Sequence, residues 1–190
     1  MNYFSADFHL GHANIIRYCN RPFANIKEHD ETILKKINDV VAENDTLFIL
    51  GDFCFGNPVP YRMLIHCKNV HFILGSHDKQ ITRDQNLFTT VFPKRVISIE
   101  NKTVVMTHCA HLVWEQSHYG SYHLFGHSHN RLGTFDDEYG RAIKLILSRA
   151  RCMDVGVDGH DFWPYSWTEI DGILSKKEGF VVQRRNDQNE

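Results

Sequence analysis

The sequence contains no C-x-x-C pair, and its five cysteines, Cys19, Cys54, Cys67, Cys109 and Cys152, are an odd set. That argues against a disulfide framework and against a thiolate zinc site, and predicts reduced thiols in a cytoplasmic protein. Neither charge is in excess: 21 Lys and Arg face 23 Asp and Glu, a net charge of −2 with histidine neutral. Such a balance gives no strong signature of nucleic-acid or anionic-membrane binding, although bound cations would reverse the sign locally. No stretch approaches the ~20 apolar residues of a membrane helix, and no cationic segment precedes an apolar run at the start of the chain. Neither a membrane span nor a signal peptide is expected. Repeats, low-complexity tracts and Pro/Gly/Ser linkers are missing too. With 190 residues, 42% of them hydrophobic, the expectation is one domain over residues 1–184 and a polar tail over 185–190.

Histidine is what the chain has in abundance, 13 in all. It is the commonest metal-ligating side chain, but most histidines in proteins are not ligands, so position has to decide. Apolar runs predict strands over Asn2 to Ala6, Thr46 to Leu50, Val70 to Leu74 and His123 to Phe125. Arg95 to Glu100 and Lys102 to Thr107 form a hairpin around Glu100-Asn101. Lys144 to Leu147, Cys152 to Val157 and Phe180 to Gln183 are late strand candidates. Helical spacing of Ile33, Leu34, Ile37, Val40 and Val41 predicts a helix within Ile26 to Glu43, with others over Pro58 to Cys67 and Thr168 to Lys177. Helices and strands alternate early and strands dominate late, the pattern of an α/β protein with a mixed sheet or sheets.

Potential metal ligands recur where these runs stop: Asp7-Phe8-His9, Asp52, Ser76-His77-Asp78, His108 and His127-Ser128-His129. Strand ends in α/β folds are where distant positions converge on one crevice. Gly51, Gly75 and Gly126 stand directly before three of the groups, permitting sharp turns and close backbone approach. A single D-x-H or H-x-H also describes residues on one face of an extended segment; five strand-end groups in one short chain are a different matter.

The order D-x-H, G-D, G-x-H-D, an isolated His, then G-H-x-H resembles the calcineurin-like metallophosphoesterase superfamily. The opening Asp7-Phe8-His9-Leu10-Gly11-His12, with Asn14-Ile15-Ile16 and Arg21-Pro22-Phe23 behind it, is similar to a small phosphoesterase subgroup of bacteria and bacteriophages. The resemblance implies an α/β (α+β) fold, a two-sheet β-sandwich flanked by helices. It implies two divalent metal ions, Mn foremost, with Fe, Zn, Ni or Co as alternatives. Asp7, His9, Asp52 and His129 would hold one; Asp52 would bridge to a second, also held by Ser76, His108 and His127. Two cations about 3.5–4 Å apart clamp the attacking and leaving oxygens of a phosphoryl displacement. The reaction implied is attack on a phosphate ester by a bridging hydroxide. His77 would protonate the leaving alkoxide and Asp78 would orient its ring.

Ser76 departs from the pattern, which usually has Asn there; a serine hydroxyl is a poorer ligand, so weaker occupancy of the second metal is expected. Further candidates for substrate or supporting contacts are His12, Asn14, Arg17, Arg21 and His111. For Arg17 and Arg21 the competing reading is a solvated helix charge. Trp114, Tyr119 and Tyr122 are candidates either for stacking on a substrate ring or for the core. The substrate expected is a phosphate ester, a small phosphodiester or nucleotide ahead of a monoester; the alternative is an impaired or inactive member of the fold acting as a binding scaffold.

Overall fold

The computed structural model describes residues 1–180. Two sheets lie face to face with helices outside them. The first sheet has the order β4-β3-β2-β1-β9, from β1 (Asn2–Ser5), β2 (Thr46–Ile49), β3 (Asn69–Ile73), β4 (Thr90–Phe92) and β9 (Tyr165–Ser166). Its strands run parallel except β9, which is antiparallel to β1. The second sheet, β5-β6-β7-β8, comprises β5 (Lys94–Ile99), β6 (Lys102–Thr107), β7 (Tyr122–Phe125) and β8 (Cys152–Asp154). This is the mixed two-sheet α/β architecture that the motif order implied.

Central strands buried on both faces read as continuous apolar runs, and their alternate residues enter different layers. Leu47 and Ile49 pack outward on α2 (Ile26–Val40) through Ile33, Leu34 and Ile37. Phe48 and Leu50 point inward and meet Val104, Met106, Tyr122 and Leu124 of the second sheet, with Trp167 and Ile170 of α5 (Trp167–Leu174). The outer face of the second sheet, Val105 and Phe125, is covered by Trp114 and by Ile146 and Leu147 of α4 (Glu138–Arg149). Asn25, Asp137 and Ser166 cap α2, α4 and α5, the last in a reciprocal capping box with Glu169. Two short helices complete the set, α1 (Asn14–Tyr18) and α3 (Val59–Met63).

The hairpin turns at Glu100 (φ 48°) and Asn101 (φ 64°), two positive-φ residues as a tight antiparallel turn requires. Three expectations need correction. Lys144 to Leu147 is helical, inside α4, because Ile143, Ile146 and Leu147 repeat at helical spacing behind the Asp137 cap. The strand expected over Cys152 to Val157 stops at Asp154, and a 3₁₀ turn begins at Val157. The helix over Pro58 to Cys67 is only one turn long. Beyond Phe180, the strand expected to reach Gln183 and the tail at 185–190 lie outside the described residues. No helix among the described residues is long and apolar enough to cross a membrane.

Candidate metal centre

The five groups of potential ligands do meet at one end of the sheets, through a backbone conformation that sequence does not advertise. Asp7 (φ 60°), His9 (φ 51°), Asp52 (φ 55°), His127 (φ 69°) and His129 (φ 49°) all lie in the left-handed region. Non-glycine residues there are uncommon, and each costs of order 1–3 kcal/mol unless its surroundings over-determine it. The Asp7–His9 segment is therefore not an extended strand end that puts alternate residues on one face; two left-handed turns aim the side chains. Neighbouring backbone fixes them: Asp7 N–H donates to Gly51 O (3.0 Å) and His9 N–H to Asp52 O (2.9 Å). At Gly75 the close approach is literal, since a Cβ would sit 2.4 Å from Asp52 Oδ1 and 2.6 Å from Asp52 N.

Three trios of metal-type donors occur among the described residues, the donor atoms of each within 4.8 Å of one another: Asp7/His9/His129, Asp52/His108/His127, and Cys19/Asp158 sharing His129 behind the first. Asp52 joins the first two: its Oδ2 is 3.6 Å from His9 Nε2 and 3.3 Å from His108 Nε2. His9 Nε2 is buried and has no hydrogen-bond partner among the described residues. An orphaned imidazole nitrogen in the interior is costly unless something else takes its lone pair. The ring of His108 is oriented from behind, its Nδ1 lying 2.8 Å from Leu50 O.

Electrostatics match a cation site. Burial, then the nearby Asp154 carboxylate, lifts Asp7 to about 7. Burial holds His9 well below the usual histidine range. Against the opposing effect of burial, Asp52 lifts His108 to about 9 and Asp158 lifts His129 to about 10. A cation bound there would displace the protons carried by His108 and His129, and in part by Asp7, so ion uptake and proton release to solvent would be linked.

No family model matches the sequence. Across 190 residues it is 32% identical to the uncharacterized protein MJ1445 of Methanocaldococcus jannaschii, covering 97% of this chain and 96% of that one. The chain belongs to that protein's family. Its ordered motifs, gathered at one end of a two-sheet fold, resemble those of the calcineurin-like metallophosphoesterase superfamily. Among solved structures, the protein AQ665 of unknown function from Aquifex aeolicus shares the fold, with a TM-score of 0.69 at 22% identity over 90% of this chain and 98% of that one. YfcE, a phosphoesterase from E. coli, aligns over 82% of this chain and 77% of its own, with 18% identity and a TM-score of 0.46.

Behind this candidate centre stand residues that motif reading missed. Asp158, in the 3₁₀ turn Val157–Gly159, holds His129 Nδ1 at 2.8 Å, a carboxylate–imidazole pair of the kind that orients metal ligands. Asp154 accepts from Ser128 Oγ (2.6 Å) and Asn130 N–H (3.0 Å), bracketing His129. No motif marks either aspartate; only their positions, Asp154 at the end of β8 and Asp158 in the turn after it, put them here. Of the two contacts expected of Arg21, substrate or supporting, the structure has the supporting one. Arg21 is neither a solvated helix charge nor a phosphate clamp, but 4% exposed and fully engaged. Its Nε and Nη2 bind both oxygens of Asp158 (2.8 and 2.7 Å), and its Nη groups donate to the carbonyls of Phe8 (3.0 Å) and Asp7 (2.7 Å).

Asp78 likewise departs from the role assigned to it. Its buried carboxylate accepts from the N–H groups of Asp52 (2.7 Å), Phe53 (3.0 Å) and Gly75 (2.7 Å), so it shapes the loop that presents Asp52 rather than the His77 ring. His77 is exposed at the rim, its ring 5.7 Å from that of His9, with its backbone N–H on Asp52 Oδ1 (2.9 Å). Ser76 beside it is exposed. His12 lies 6.0 Å ring-to-ring from His9, while Asn14 and Arg17 are exposed on α1. His111 is exposed and lines an apolar cavity of about 190 Å³ under α4. His123 belongs to the core, donating from Nδ1 to Val105 O (3.2 Å) and accepting at Nε2 from His111 N–H (3.0 Å). Trp114 and Tyr122 are core residues as well, and Tyr119 is exposed.

Proposed function

We propose that the protein is a metal-dependent phosphoesterase hydrolysing a phosphate ester, a small phosphodiester or nucleotide in preference to a monoester. The observation that carries this reading is the pair of donor trios joined at Asp52, with the unpartnered Nε2 of His9 facing that carboxylate. The residues fit two divalent ions: carboxylates lower the site's charge and imidazoles suit borderline transition ions, Mn²⁺ first, with Fe, Zn, Ni or Co as alternatives. Asp7, His9, Asp52 and His129 would hold one; Asp52, His108 and His127 the other. Bound there, such ions would activate a water nucleophile and neutralise charge on the phosphate.

The chain's own groups do the rest. His9, kept neutral by burial, offers a lone pair and no competing proton. Leu50 O fixes the His108 ring so that Nε2 faces Asp52, and Asp158 fixes His129 in the same manner. His77, exposed at the rim and anchored through its backbone N–H on Asp52, would protonate the departing oxygen.

The test is hydrolysis of bis-p-nitrophenyl phosphate and p-nitrophenyl phosphate by metal-stripped protein with and without Mn²⁺. Activity that requires the ion and disappears in Asp52→Asn is expected, with the diester turned over faster. Silence with every divalent ion, in the natural sequence and in Ser76→Asn, would refute the proposal. The scaffold reading has one observation in its favour, the exposed Ser76, which brings no carbonyl oxygen to the second trio. A silent natural sequence restored by Ser76→Asn would make that residue the lesion in a genuine site.

A further inference from the structure

The loops that carry Asp7-x-His9 and Asp52 stay paired beyond the ligands. Leu10 N–H donates to Phe53 O (3.0 Å) and Phe55 N–H to Leu10 O (2.7 Å), and Leu10 bridges Cys54. Leu10, Phe53 and Cys54 turn into the core, and the next residue, Phe55, turns out: it is 55% exposed. It is not a loose side chain. Its ring stacks on His12 at 4.6 Å and 15°, and Gly11 in the partner loop is tied to the Asp30 carboxylate by its N–H (2.9 Å). The ring of Tyr18, 56% exposed, stands 6.1 Å from that of His12, with the Arg17 guanidinium 5.3 Å from its centre. The Phe55 ring is 6.5 Å from that of His77, the group proposed to meet the leaving oxygen.

Exposed aromatic rings, held rigidly by hydrogen-bonded loops one ring away from a phosphate-directed centre, are a stacking platform. We infer that Phe55, backed by His12 and flanked by Tyr18, receives a planar base on the leaving side of the substrate, making that substrate a nucleotide of one or two units. The inference rests on the phosphoesterase reading. Planarity of the ligand follows from the faces on offer: aromatic side chains stack on any nucleobase. Small size follows from charge. A polymer would require a track of cations for successive phosphates. The net charge is −2, and among the described residues the arginines around the rim are Arg21, buried and spent, and Arg17 and Arg131, the latter held on Tyr18 O (3.0 Å), which make no continuous track.

The experiment compares adenosine 5′-monophosphate with ribose 5-phosphate, which lacks only the base, on Mn²⁺-loaded full-length protein. Affinity is read by calorimetry, or as KM where the ester is turned over. Stacking on one aromatic side chain corresponds to about 5- to 150-fold in affinity, so the nucleotide is expected to bind at least about tenfold more tightly than the sugar phosphate. Phe55→Ala should remove most of that difference and Phe55→Tyr should keep it; both sites are exposed, so the fold is not at stake, and Tyr18→Ala supplies a second reading. Equal affinity for the two probes, or a nucleotide preference indifferent to Phe55→Ala, overturns the platform, while metal-dependent binding of ribose 5-phosphate leaves the phosphoesterase reading standing. Failure of both probes to bind the metal-loaded protein overturns the two together.

Discussion

Arg21→Met removes a charge of similar length from the interior and tests whether the site is held from behind. In the structure the guanidinium is bidentate to Asp158 at 2.8 and 2.7 Å, donates to two carbonyls in the strained Asp7–His9 segment, and faces His29 Nε2 at 2.7 Å. The substitution leaves Asp158, 11% exposed at its side chain, with His129 as its remaining charged partner. Breaking one side of a buried pair costs about 3–5 kcal/mol, and each orphaned carbonyl adds about 1–3 kcal/mol unless water reaches it. These contributions overlap, so a loss of about 4 kcal/mol is expected. Urea unfolding in chelator, followed by tryptophan fluorescence, reads it free of any contribution from bound metal. Asp158→Asn should be milder, and the double substitution should cost at least ~1.5 kcal/mol less than the sum of the single ones, because the two residues share one network. In both single variants metal affinity should fall about 10- to 100-fold as His129 loses its orientation. Arg21→Met within about 1 kcal/mol of the parent, or strict additivity with Asp158→Asn, would show that the network does not brace the centre.

Three further outcomes are expected. Ser76→Asn should tighten the weaker of two metal-binding events by supplying a carbonyl oxygen; unchanged stoichiometry and affinity in a metal titration would exclude Ser76 as the weak point. Gly75→Ala should displace Asp52, since the added Cβ falls 2.4 Å from its Oδ1; about 1–3 kcal/mol of overpacking and loss of metal binding are expected, and normal metal uptake would refute the close-approach argument. Burial pushes His123 down to about 4, so this residue's contribution to stability is present above the ordinary histidine pKa of ~6.5 and is lost as pH falls from there toward 4, by up to about 3 kcal/mol. His123→Phe should be less stable at pH 8 yet show a shallower stability–pH slope between pH 6.5 and 4; an unchanged slope would assign the acid sensitivity elsewhere.

The sequence by itself marked the candidate ligands and the order of the strands that deliver them. Metal chemistry demands particular side-chain types, and Asp7, His9, Asp52, His108, His127 and His129 stand where apolar runs end, so composition and punctuation together exposed them. Strands buried on both faces were legible for the same reason: only a continuous apolar run survives there. Short runs were not, as Lys144 to Leu147 shows, because four apolar-rich residues fit a helix face or a strand equally well and the Asp137 cap decides. Tertiary structure alone decided how the centre is held. Arg21 and Asp158 are 137 residues apart in sequence, and an ordinary Arg-Asp pair has no local signal. Whether Arg21 is solvated or buried depends on which loops converge on it. The left-handed backbone at five candidate ligands is likewise a product of convergence: Asp and His tolerate that region better than most residues, but hydrogen bonds from neighbouring loops are what hold Asp7 and His9 in it. Phe55 follows the same rule. A phenylalanine in sequence reads as core, and it stands exposed here because Phe53 and Cys54, pairing against Leu10, have already taken the inward positions.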